Sequence, residues 1–131
     1  MTGETDLDTL IRTMRPALAP EVLVFVTLPL GTVPGGLHPV MSFEEPEGTT
    51  LILPRTVAEG LDLPYQFPCR MITLRVHSAL AAVGFMARVA TALAAAGIPT
   101  NPVSGFYHDH LFVPEGQADQ AMAVLARLSA P

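Results

Sequence analysis

Residues 74–101 read LRVHSALAAVGFMARVATALAAAGIPTN, and the fold turns on how this stretch is read. It begins inside RMITLRVHS (70–78), which has the composition of a strand. It continues into a helix in which Ala82, Met86, Val89, Leu93 and Ala96 make one apolar stripe while Arg88, Thr91 and Ala95 face away. Gly97 supplies the stop. The window 79–98 is about long enough to cross a bilayer. It is, however, rich in alanine rather than leucine, carries Arg88 near its middle and follows a strand. A buried helix of a soluble domain is therefore expected, with no membrane partner.

Composition narrows the remaining options. In 131 residues, 50% are apolar and 15% charged, which suits one domain or two half-domains sharing a core and excludes a disordered chain. The net charge of −5, with only seven Lys and Arg, offers no footprint for a phosphate backbone, so no nucleic-acid partner is expected. The opening MTGETDLDTL is acidic where an export signal is basic and then apolar, and a cytoplasmic location is expected. Cys69 is the single cysteine and reads as an inert buried thiol.

Working outward, Leu7, Leu10, Ile11, Met14 and Leu18 have helical spacing behind Thr5 or Asp6, either of which can cap, with a kink or end at Pro16. EVLVFVTLP (21–29) reads as a strand and LGTVPGGLHP (30–39) as a loop. Strands near 40–45 and 50–54 flank the turn PEG, a short helix runs from Arg55 to Gly60, and LDLPYQFPC reads as a connector. Beyond the central helix, strands at 101–107 and 110–114 precede a helix marked by Ala118, Ala121, Met122, Leu125 and Leu128. The two parts run in parallel: FEEPEGTTLILPRTVAEGL (43–61) and FYHDHLFVPEGQADQAM (106–122) each give strand, turn, strand, helix. We therefore expect a duplication, with halves at 1–68 (preceded by helix 6–18) and 69–131. Each half shows three strands, so an open sheet edge must be filled by the other half or by another subunit.

The segment 74–101 resembles the core of an ACT domain, through a strand, a loop, Gly84-Phe85-Met86-Ala87 opening a helix, and Gly97-Ile98 leading to the next strand. The whole chain is similar to small bacterial proteins of tandem ACT-like halves in which the VHS…AVG and YHDHLFVP stretches recur. The resemblance implies an α+β fold of ferredoxin-like βαββαβ halves, antiparallel sheets with helices packed on one face. It also implies a non-catalytic regulatory sensor that binds an amino acid or similar metabolite at the interface between halves or subunits. A homodimer, or a separate regulated protein, is the implied partner. This chain has Ala81 where many ligand-binding members have Asp, and Pro99 and Thr100 stand before Asn101, which favours a ligand-free assembly module as the alternative.

Physical chemistry gives the loop before the long helix a use of its own. A glycine in the first turn allows close approach, and the free N–H groups of Val83, Gly84 and Phe85 suit a carboxylate. Ser78 is either a helix cap or a ligand contact. Glu45, beside Glu44 in the first hairpin, can hold an ammonium group. The resemblance adds His77 and Asn101, so the expected contacts are His77, Ser78, Val83, Gly84, Phe85, Asn101 and Glu45.

His108-Asp109-His110 is the remaining motif. Strands at 101–107 and 110–114 would put His108 and Asp109 at the centre of a tight turn, which Asp and His tolerate, with Tyr107 facing His110. A metal site needs three or four converging ligands and H-x-H supplies two. No metal, cofactor or catalytic residue is expected, and a metal-dependent protein using His108, Asp109 and His110 is the weakest alternative.

Overall fold

The computed structural model describes residues 3–131. The chain forms two compact units: the N-terminal residues to Pro20 fold with Arg70–Pro131, and Glu21–Cys69 fold together. The expected division at 68/69 is near this second boundary, but the N-terminal helix joins the later unit rather than preceding the earlier one.

In the unit containing the N-terminus, α1 (Leu7–Thr13) is capped by Asp6, whose carboxylate accepts from the Thr9 N–H at 2.9 Å and hydroxyl at 2.7 Å. These bonds hold the Asp6 carboxyl below its usual range. The helix was expected to reach Leu18 but stops at Thr13. Its last buried residues are Leu10 and Ile11, and Pro16 has no N–H to continue it. Instead Pro16–Leu18 is a strand, β1, that pairs antiparallel with β5 (Gln66–Leu74) in the register Pro16↔Leu74, Ala17↔Thr73, Leu18↔Ile72.

The rest of this unit is α3 (Phe85–Ala95), β6 (Asn101–Ser104), β7 (Asp109–Pro114) and α4 (Ala118–Ser129). β5 neighbours β7, which pairs with β6, so the strand order is β1-β5-β7-β6. This is a four-stranded antiparallel ferredoxin-like sheet whose fourth strand comes from the start of the chain. Residues from 69 onward supply three strands, as expected, and the open edge is filled from the part of the chain assigned to the other half, because the proline-ended helix frees 16–18 to cover β5. Leu10 and Ile11 of α1, Phe85, Val89 and Leu93 of α3, and Ala121 and Leu125 of α4 pack with Ile72, Leu74, Leu111 and Val113 in one core. The alternation along β5 and β7 places these four strand residues on a single face.

The second unit contains β2 (Leu23–Leu28), β3 (Met41–Glu45), β4 (Gly48–Pro54), α2 (Arg55–Gly60) and the first residues of β5, in the strand order β3-β4-β2-β5. Val24, Val26, Leu51, Leu53 and Ala58 form its core. Gly48 is required at the hairpin, since a Cβ there would sit 2.7 Å from the Leu28 carbonyl oxygen. LDLPYQFPC was expected to be a connector throughout, yet β5 already begins at Gln66. Its ladder with β2 steps from Leu23↔Cys69 to Phe25↔Gln66, so β5 carries one extra residue. Phe67 takes up the bulge at φ 58°, and its ring packs edge-on to Phe25 with centroids 5.8 Å apart.

Among the described residues no helix is long and apolar enough to cross a membrane. Cys69 is fully buried, with its thiol 3.4 Å from the Leu23 carbonyl oxygen, and burial pushes the thiol up to about 12. Two predictions follow from this packing. Iodoacetamide should leave Cys69 unmodified in the native protein and alkylate it in urea, as read by mass spectrometry. Leu93→Ala should lower the unfolding free energy by about 2–5 kcal/mol in urea titrations, because Leu93 is wholly enclosed.

Candidate functional site

Asp109 is the first residue of β7 and pairs with Ser104, the last residue of β6. The turn therefore spans 105–108, and Asp109 is not its centre as expected. Gly105 closes the turn with its N–H on the His108 carbonyl oxygen at 2.8 Å. No positive φ occurs at His108 or Asp109. The shift by one residue points Asp109 inward, where it is 8% exposed. Consequently His110 pairs with Val103, not with Tyr107.

The buried carboxylate is held at both oxygens. Ser104 donates its hydroxyl to Oδ1 at 2.6 Å and Ser78 donates to Oδ2 at 2.8 Å. Ser78 is thus neither a helix cap nor a free contact; it ties the loop after β5 to the head of β7. Its own N–H bonds the Val76 carbonyl oxygen at 2.8 Å, and an isolated bridge joins Glu4 to Ser78. Among the described residues no cationic group lies within ion-pair distance of Asp109.

A cavity of about 180 Å³ opens on this carboxylate. Its walls are Ser78, Ala79, Leu80 and Ala82 from the loop, Phe85 and Met86 from the first turn of α3, and Ser104 with Asp109 from the hairpin. Gly84 caps α3 at φ 91°, a conformation glycine adopts without strain. At this end of the helix the Arg88 N–H bonds the Gly84 carbonyl oxygen at 3.0 Å. The N–H groups of Phe85, Met86 and Ala87 thus have no helical acceptor and carry the positive end of the helix dipole. Asp109 and the first turn of α3 thus both border one small chamber.

The expected contact residues divide. Ser78 and Phe85 line the cavity, and Gly84 sets the helix start between two lining residues. Val83, in the same loop, is 84% exposed. The His77 ring packs on Tyr107 with centroids 5.3 Å apart, and its buried Nε2 has no hydrogen bond. Asn101 is exposed at the far end of β6, opposite Phe112, and is not brought to the cavity. Glu45 is on β3 of the second unit, where its carboxylate accepts from the Thr50 hydroxyl at 2.5 Å. Sequence reasoning missed Ser104 and gave Asp109 to the turn. The signal that would have found them is the spacing of a serine and an aspartate five residues apart across a four-residue turn.

The histidines of the motif are not arranged as ligands; among the described residues no group of three or more His, Cys, Asp or Glu could hold a metal ion. His110 lies on β7 with Nδ1 2.9 Å from the Thr73 hydroxyl on β5. Burial, and next the charge of His108, hold the His110 imidazole below its ordinary value against the opposing effect of Asp109.

Two ACT domain families match the chain, one over residues 2–70 and the other over residues 66–127. The chain belongs to the ACT-domain family. Among solved structures, a Vibrio cholerae protein of unknown function, described as a possible transport protein, shares 39% identity with this ACT protein at a TM-score of 0.86, covering 95% of this chain and 96% of that one. An Agrobacterium tumefaciens protein has 17% identity and a TM-score of 0.75, over 88% and 89% of the two chains. The ligand-free regulatory subunit of aspartate kinase from Thermus thermophilus has the same fold, with a TM-score of 0.64 at 9% identity over 92% and 99%. No curated protein matches. ACT domains are regulatory, small-molecule-binding modules, and this chain carries two of them in tandem.

The histidine supplies a prediction. Because the native His110 is lowered and the unfolded one is ordinary, the unfolded state takes up its proton first as pH falls through about 6.5. Stability should therefore decline from neutral pH until the native imidazole also protonates. Urea midpoints measured at intervals from neutral to about pH 5 should fall less steeply in His110→Gln than in the parent.

Proposed function

We propose that this protein is a non-catalytic sensor of a small α-amino acid, bound in the cavity between the start of α3 and the β6–β7 hairpin. The observation that carries the reading is Asp109: a carboxylate 8% exposed, satisfied only by two hydroxyls and facing a chamber. Burial of a lone charge is unfavourable unless a counter-charge completes it. A ligand ammonium supplies that counter-charge, and the ligand carboxylate takes the amides of Phe85, Met86 and Ala87. About 180 Å³ is below the range of ordinary drug-sized pockets, so the reading favours a compact side chain. Of the residues expected from sequence, Ser78, Gly84 and Phe85 are kept in this site as positioning, backbone and wall elements. His77, Val83, Asn101 and Glu45 have no contact role in it.

Sensing requires that ligand binding favour one arrangement of the protein over another. The output is a changed association with a second copy or with a separate regulated protein in the cytoplasm. A second reading, assembly without a ligand, draws on Leu80, Val83, Phe106 and Tyr107, large apolar side chains that are 62–84% exposed around two neighbouring loops of the sequence-late unit.

A thermal-shift screen of the twenty amino acids separates these readings. Ligand at a hundred times its dissociation constant adds about 2.7 kcal/mol of stability, a clear rise in melting temperature. At least one compact amino acid should produce it, and Asp109→Asn should remove the response while keeping the circular dichroism of the parent. A flat response to all twenty favours the assembly reading.

A further inference from the structure

A second cavity, of about 330 Å³, lies wholly within the other unit. Phe25, Val26 and Thr27 of β2 form one wall and Pro64, Tyr65 and Gln66 the other, with Thr50 of β4 adjoining. We propose that it is a separate binding site for a small uncharged molecule with an apolar ring and an amide-like edge. This inference does not rest on the amino-acid site.

Three observations converge. The first is the chemistry of the walls: none of these residues carries a charge, and two are aromatic. Charged ligands would lose hydration there without gaining a counter-ion, whereas a neutral ring gains apolar contact. The second is an interrupted ladder. Val26, Thr27 and Leu28 pair with Leu51, Thr50 and Thr49 on β4, but the pairing of β2 with β5 ends at Phe25↔Gln66. Beyond Phe25 the β5 side of β2 thus presents strand-edge backbone groups to the cavity, in the alternating pattern that an amide can bond. The Thr27 hydroxyl and the Gln66 carboxamide, which have no side-chain hydrogen bond among the described residues, add neutral donors and acceptors. Pro64, Tyr65 and Gln66 close the opposite side of the lane, which suits a compact molecule and leaves no room for an added strand.

The third observation is the backbone beside it. Phe67 is a bulky residue in the left-handed region at φ 58°, in the one-residue bulge that follows Gln66. A glycine would hold that position without strain, and strain retained beside a cavity points to a constraint on the cavity wall. Here the bulge separates Leu23↔Cys69 from Phe25↔Gln66, the last pair of the β2–β5 ladder and the one at which the pocket begins. The lining hydroxyls of Tyr65 and Thr50 donate to Glu59 at 3.1 Å and Glu45 at 2.5 Å, so both protons are committed and these hydroxyls offer a ligand only acceptor oxygens.

The test is a titration of the full chain with benzamide, followed by amide ¹H–¹⁵N spectra, with benzoate and benzylamine as charged matches of the same shape. Benzamide at millimolar concentration should shift the amides of Val26, Thr27 and Gln66 saturably, and each charged match should bind at least tenfold more weakly. Thr27→Arg, on an exposed strand position, should abolish the shifts with the rest of the spectrum unchanged; Gln66→Ala should weaken them severalfold. No saturable shift at these three amides, or equal binding of the charged compounds, would overturn the proposal. Because these amides all belong to the second unit, a failure here is read separately from the amino-acid screen.

Discussion

A carboxylate that is largely buried must find hydrogen-bond donors, and in this protein that requirement organises the site. Asp109 takes hydroxyls from Ser78 and Ser104, so the loop after β5, the end of β6 and the head of β7 are joined at one residue. The loop then runs directly into α3, whose glycine cap precedes Phe85 and Met86, two residues that line the same chamber. Two hydroxyls satisfy geometry but do not neutralise charge. The residual negative charge gives the cavity its chemical identity, and the amide end of α3 gives it polarity.

The sheet beneath depends on a second constraint, the edge of β5. The duplicated pattern leaves that strand in need of a neighbour, and residues 16–18 supply it within the same chain. The helix before them stops early because a proline cannot donate, and the extended segment it releases is held by a three-residue register plus flanking bonds from Arg75 to Arg15 and from Ala19 to Met71. A folding unit is thereby completed from both ends of the sequence.

Much of the fold was legible because its periodicities are strong. The stripe Val89–Leu93 and the strand signals within 21–29 and 110–114 report burial on one face, and the structure buries their apolar residues. The tandem of two ACT-like patterns was legible from the repeat of hairpin and helix. Three features were not. Pro16–Leu18 continues a helical spacing by chance, and only the tertiary need of β5 decides against it. Gln66–Pro68 looks like a connector because a proline and a left-handed phenylalanine are atypical of strands, yet a bulge accommodates both. The hairpin turn falls one residue from where His-Asp chemistry suggests, since Asp109 gains more from two serine hydroxyls inside than from a turn outside. Because strand residues alternate between faces, that single step moved the decisive side chain from the surface to the cavity.

The same step explains the division among the site residues. Gly84 and Phe85, which the proposed site keeps, came from local reasoning about the start of α3, as did Val83, which is exposed. Ser104 and Asp109 needed the hairpin register, Asn101 followed the family resemblance to the far end of β6, and Glu45, chosen for its charge in the first hairpin, bonds Thr50 within the second unit. The most direct measurement is a crystal structure of the protein with whichever amino acid stabilises it most. The account predicts the ligand nitrogen within hydrogen-bonding distance of an Asp109 oxygen and the ligand carboxylate on the amides of Phe85–Ala87. A ligand seated away from Asp109, or bound with its carboxylate toward it, would contradict the central claim.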